Sequence, residues 1–102
     1  MSDKIRDEQT DFLFKAILSL SALDECYAFF EDICTVGEIY AIAQRLEVAK
    51  MLADEQTYTR IAEVTGASTA TISRVKKCLN YGSDGYKLVL ERLKEKKDES
   101  ES

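Results

Sequence analysis

A chain of 102 residues, 45% hydrophobic and 32% charged, is long enough for one folded domain and short enough that a partner subunit would add materially to its core. With no Pro, no His and only four Gly, it lacks the breakers that strands and tight turns need and the usual general base; an all-α protein with no catalytic residues is expected. The net charge of −5 is segregated: residues 1–56 carry −7, residues 57–97 carry +5 and the tail 98–102 carries −3, so one stretch is basic enough to steer toward an anionic partner.

Cys26, Cys34 and Cys78 show no close Cys-x-x-Cys pairing and have no His to join them. They read as reduced packing residues, with no metal site and no cofactor. The charged, polar start lacks the apolar stretch of a signal segment, and no run approaches the roughly 18 apolar residues of a membrane span. A cytoplasmic protein without membrane association is expected.

In chain order, Asp7 or Thr10 can cap a first helix in which Phe12, Ala16 and Leu20 recur beside Leu13, Ile17 and Leu18. Ser21 with Asp24 resembles a capping box opening a second helix, where Leu23, Cys26, Tyr27 and Phe30 share a face. Thr35 with Glu38 is a cleaner capping box, and it starts the longest pattern, predicting a helix over 36–53. After the polar break at 54–56, Thr57 caps a short helix that must end by Gly66, and Ser68 caps the next, with Ile72, Val75 and Leu79 on one face. A turn over 80–85 leads to a last helix carrying Tyr86, Val89, Leu90 and Leu93. The predicted organisation is one helical domain over 1–97, with dimerisation helices at 11–53, a helix-turn-helix at 57–79 and a closing helix at 83–97. A disordered acidic tail at 98–102 follows.

The pair of short helices is the motif that carries function. Two helices crossing at a large angle need a small residue at the crossing and a tight turn between, which Ala62 and Gly66 supply, with Ile61, Val64, Ile72 and Val75 as the expected small core. The second helix opens with small hydroxyl and methyl groups, as a helix must if it is to enter the major groove of double-stranded DNA. Thr69, Ala70 and Ser73 are then placed to read base edges, Ser68, Thr71, Arg74 and Lys77 to donate to phosphates or guanine, and Tyr58, Thr59 and Arg60 to touch the flanking backbone. One such helix covers only a few base pairs, so a two-fold homodimer presenting two helices about 34 Å apart is expected. Phe12, Phe14, Tyr27, Phe29, Phe30, Ile39, Tyr40 and Ile42 supply apolar surface for it, and serve equally well as internal core. The function expected is a sequence-specific transcriptional regulator, a repressor. The rival reading is a helical protein–protein adaptor without specific DNA binding.

The stretches TVGE (35–38), RLEVAKML (45–52), IAEVTG (61–66) and GASTATISR (66–74) resemble the Trp repressor superfamily. ECYAFFEDICT (25–35) and CLNYG (78–82) look closer still to its Trp-repressor-related branch, the YerC/YecD family, and the likeness runs from Phe12 to Leu93. It implies six helices in an intertwined homodimer, and a small-molecule corepressor site at positions matching Thr35, Arg45, Arg74 and Cys78. Arg45 reads equally as an ordinary surface charge near Glu38, Glu47 or Asp54. Where the tryptophan-responsive repressor has a glycine this chain has Val75, which would crowd an indole. Where that repressor has a serine it has Cys78, a poor hydrogen-bonding group. Tryptophan is therefore disfavoured, leaving a smaller effector or none.

Overall fold

The computed structural model describes residues 6–101, the last four by their backbone only. The helices are α1 (Glu8–Leu18), α2 (Leu23–Ile33), α3 (Val36–Ala53), α4 (Tyr58–Thr65), α5 (Thr69–Tyr81) and α6 (Gly85–Glu101). There is no strand among the described residues. The chain divides into two compact units between Tyr40 and Ala41.

The first unit owes its helix starts to carboxylates. Asp7 caps α1 by accepting from the Thr10 N–H at 2.7 Å. The expected pairing of Ser21 with Asp24 is not what forms. Glu25, one residue further along, reaches back to the Ser21 N–H at 2.8 Å, and Ala22 is the cap residue of α2. The box at the start of α3 is reciprocal: Glu38 accepts from the Thr35 N–H at 2.8 Å and Thr35 Oγ1 from the Glu38 N–H at 3.1 Å. The inward face of α1 is Leu13, Ala16 and Ile17, half-buried as is Leu20 just beyond its end, whereas Phe12 and Leu18 point to solvent. No described residue of this unit is fully buried. Phe29 and Phe30 meet edge to face at 5.5 Å, and Leu23, Cys26, Tyr27, Phe30 and Ile39 line a shallow apolar groove. Helices of eleven residues are marginal in water without tertiary burial, so this unit calls for apolar cover.

These caps make the unit acid-sensitive. Accepting backbone N–H bonds holds the carboxyls of Asp7, Glu25 and Glu38 below the ordinary carboxylate range. A depressed folded-state value means that the stabilisation is complete above the unfolded value, about 4.3 for Glu, and is lost as pH falls through the folded value. Thermal unfolding followed by circular dichroism is therefore expected to show a flat midpoint from pH 7 to 5 and a fall below that. Glu38→Gln keeps an acceptor that cannot titrate, and is expected to flatten part of the acid limb.

The second unit holds the core: Val48 and Ala49 of α3, Ile61 of α4, Ala67 of the turn, and Ile72 and Val75 of α5. Tyr58, Ala62, Leu79, Tyr86 and Leu90 pack around it. Val64, expected in this core, is half exposed. On an eight-residue helix the inward arc is taken by Tyr58, Ile61, Ala62 and Thr65, and Val64 falls outside it. Ala67 fills the place instead. The break after α3 is a Schellman closure in which the Glu55 N–H meets the Leu52 carbonyl and the Gln56 N–H the Met51 carbonyl, with Glu55 at φ 62° where glycine is usual. Helix α6 reaches Glu101, beyond the predicted 97, as its Lys- and Glu-rich sequence favours; the side chains of 98–101 and all of residue 102 lie outside the described residues.

Candidate nucleic-acid interface

The turn between α4 and α5 is built from hydroxyls and one glycine. Thr57 Oγ1 accepts from the Arg60 N–H at 3.1 Å to start α4, and Gly66 ends it at φ 73° with its N–H on the Ala62 carbonyl. A Cβ at Gly66 would meet nothing within 4 Å, so the cost of Gly66→Ala is the left-handed backbone alone. Unfolding in urea is expected to register a loss of about 1–2 kcal/mol. Thr65 Oγ1 donates to the Ile61 carbonyl at 2.7 Å and accepts from the Ala67 N–H at 3.1 Å, while the Gln44 side-chain amide donates to the Thr65 carbonyl at 3.0 Å. The turn is thereby tied to α3. Ser68 Oγ accepts from the Thr71 N–H at 3.1 Å and lies 3.1 Å from Thr71 Oγ1.

With Ile72, Val75 and Leu79 turned to the core, helical geometry leaves Thr69, Ala70, Ser73, Arg74 and Lys77 on the outward side, all exposed. Of the hydroxyls singled out in the sequence, Ser68 and Thr71 are engaged in the cap, and Thr71 is half-buried. Arg60 is shared with Glu63 at 3.9 Å on the exposed surface of α4, whereas Arg74 and Lys77 form no ion pair among the described residues. Tyr58 is half-buried against the core and Thr59 is exposed. Lys76 and Tyr81 were not foreseen as site residues. The Lys76 ammonium lies 5.6 Å from the centroid of the Tyr58 ring. Tyr81, 84% exposed, extends the outward side of α5 one turn past Lys77. The i+4 spacing of Tyr81 from Lys77 was legible, but the predicted helix stopped at 79.

On another flank of α5 an open groove of about 640 Å³ is lined by Ile42, Arg45, Leu46, Cys78, Gly82, Ser83, Gly85, Tyr86 and Val89. Arg45 and Cys78 therefore share one cavity wall. Arg74 does not line it, and Thr35 belongs to the other unit, where its side chain serves the α3 cap. Val75 is 2% exposed and points into the core, so the crowding expected from it does not arise on this wall. Cys78 differs from the packing residue expected: it is exposed, because it sits off the arc of Ile72, Val75 and Leu79, while Cys26 and Cys34 are half-buried. All three thiols are free. No helix among the described residues is long and apolar enough to cross a membrane.

A six-helix chain with a capped helix-turn-helix and an exposed, partly basic second helix defines a class, the helix-turn-helix regulators. Residues 8–94 match the family model described as Trp repressor protein, so the chain belongs to the Trp repressor family, a family of DNA-binding transcription regulators. It is 59% identical over 100 residues to the uncharacterized protein YerC of Bacillus subtilis (strain 168), covering 98% of this chain and 96% of that one. Among solved structures it is similar to a TrpR-like protein from Eubacterium eligens ATCC 27750, with 60% identity and a TM-score of 0.87 over 90% of this chain and 95% of that one. It is also similar to a candidate Trp repressor from Staphylococcus aureus, with 50% identity and a TM-score of 0.88 over 92% and 95%.

Proposed function

We propose that this protein is a sequence-specific transcriptional repressor that acts as a homodimer and inserts α5 of each subunit into the major groove of double-stranded DNA. The observation that carries the reading is the outward side of α5, where small Thr69, Ala70 and Ser73 precede the unpaired cations Arg74 and Lys77. Small groups let the helix approach the base edges, and cations beyond them meet phosphates. Thr69, Ala70 and Ser73 read bases. Arg74 and Lys77 hold the backbone, with Arg60, Tyr58 and Thr59 at the edge of the site. Ser68 and Thr71 orient the helix through its cap more than they contact DNA.

The homodimer supplies the cover that the first unit calls for, and it presents two reading helices to a palindromic site. The groove beside Arg45 and Cys78 is the place for a corepressor. A guanidinium beside apolar walls suits a small molecule with a carboxylate and an apolar body.

Selection of duplexes from a random pool at near-physiological salt, followed by sequencing, tests the reading. Half-sites about one turn apart are expected. Arg74→Ala and Lys77→Ala are each expected to weaken binding to every sequence and to flatten the dependence of log affinity on log salt by about 0.9. Thr69→Ala is expected to relax preference at one base position with the slope unchanged. No enrichment with or without candidate effectors, and no salt-sensitive binding, would overturn the repressor reading in favour of a helical adaptor.

A further inference from the structure

We propose that Lys76 is a DNA-phosphate contact held in position by the ring of Tyr58, so that one cation–π pair ties the edge of α4 to the reading helix α5. The inference rests on the DNA-binding reading above and adds to it a residue outside the set recognised from the sequence.

Three observations converge on Lys76. Its ammonium lies 5.6 Å from the Tyr58 ring centroid, within the roughly 6 Å over which a cation is attracted to an aromatic face. Tyr58 is itself fixed: it follows the Thr57 cap and is half-buried against the core, so it is an anchored platform. Lys76 follows Thr69 and Ser73 at helical i, i+4, i+7 spacing, so it continues the stripe of base-reading residues along the flank of α5 that meets Tyr58. Among the described residues no carboxylate pairs with Lys76, in contrast to Arg60 on the neighbouring helix, which is shared with Glu63.

The physical consequence is pre-organisation. A free lysine loses much rotamer freedom when it binds a phosphate. A lysine already resting on a ring has given up part of that freedom on folding. The ring does not neutralise the ammonium or use up its three N–H donors, so the charge remains available to a phosphate beside the groove that α5 enters. Tyr58 is thus a positioning residue for Lys76, whatever its own hydroxyl touches.

The test is a double-mutant cycle read in DNA affinity and in salt slope, using the duplex pool and then its enriched site. Lys76→Ala is expected to flatten the salt slope by about 0.9, as the loss of one phosphate contact does. The fold-loss from Lys76→Ala is expected to be about two- to five-fold smaller when Tyr58→Leu is already present. It is expected to be undiminished alongside Tyr58→Phe, which keeps the ring and removes the hydroxyl. Circular dichroism of each variant separates loss of the fold from loss of the contact. A salt slope unchanged by Lys76→Ala, with Arg74→Ala and Lys77→Ala still flattening it, overturns the phosphate role and leaves the DNA-binding reading standing. An equal effect of Lys76→Ala with and without Tyr58→Leu overturns the positioning role. If no variant, and not the parent protein, binds duplex DNA, both readings fall together.

Discussion

If the proposed homodimer forms through the first unit, Leu18→Asp and Phe12→Asp are each expected to convert it to monomer at micromolar concentration and to lower affinity for a palindromic duplex by roughly a hundredfold or more. Both side chains are largely exposed in the single chain, Leu18 at 83% and Phe12 at 76%, so neither substitution removes much packing within the subunit. In a symmetric dimer each substitution appears twice, and each copy places a carboxylate in an apolar interface where it lacks a partner. The first unit has no fully buried residue among those described, so in the proposed homodimer the apolar interface would also support its helices. Loss of the dimer should therefore be accompanied by loss of part of the helical signal. Sedimentation velocity and circular dichroism across a concentration series check both effects. A dimer that persists with one of the substitutions would mean that the side of α1 carrying that residue lies outside the interface.

The two units were unequally legible in the sequence, for a physical reason. Signals that act within one turn were readable: Thr35 with Glu38, Thr57, Gly66 and Ser68 each cap or close a helix through a bond spanning three or four residues. The reading helix and its outward residues followed from those boundaries and the placement of Ile72 and Val75. What escaped depends on neighbours distant in the chain. The ring of Tyr58 meets Lys76 only because α4 and α5 cross, and Cys78 is exposed because that flank of α5 opens onto a groove bounded by α3 and α6. Glu55 closes α3 in a left-handed conformation that a sequence pattern assigns to glycine. Asp24 and Glu25 both suit a capping role; α2 starts at Leu23 with Ala22 as its cap residue, which makes Glu25 the third helical position and the one that reaches Ser21. The apolar residues of the first unit were recognised as core or interface, and an amphipathic pattern is the same in either case.

Ile72→Ala is expected to have the largest effect on the second unit. Ile72 is fully buried, and it fills the angle between the two helices of the motif together with Ile61 and Val75. Truncating it removes three carbons from a core built around six buried residues, which leaves little surrounding structure able to collapse into the gap. The expected cost is about 2–5 kcal/mol, a large share of the roughly 5–15 kcal/mol that stabilises a typical domain. DNA affinity should fall with it, because Ile72 packs with Ile61 of α4 in the core that supports α5. Val64→Ala provides the contrast. Val64 has a similar size and sits in the same motif but is half exposed, so it should change stability by no more than about 0.5 kcal/mol and leave DNA affinity near that of the parent. Urea unfolding of the three proteins, each at matched subunit concentration, measures the difference. Equal costs for the two substitutions would place the strength of the motif in its caps and turn, and would make the hydroxyls of Thr57, Thr65 and Ser68 the residues that hold the reading helix in place.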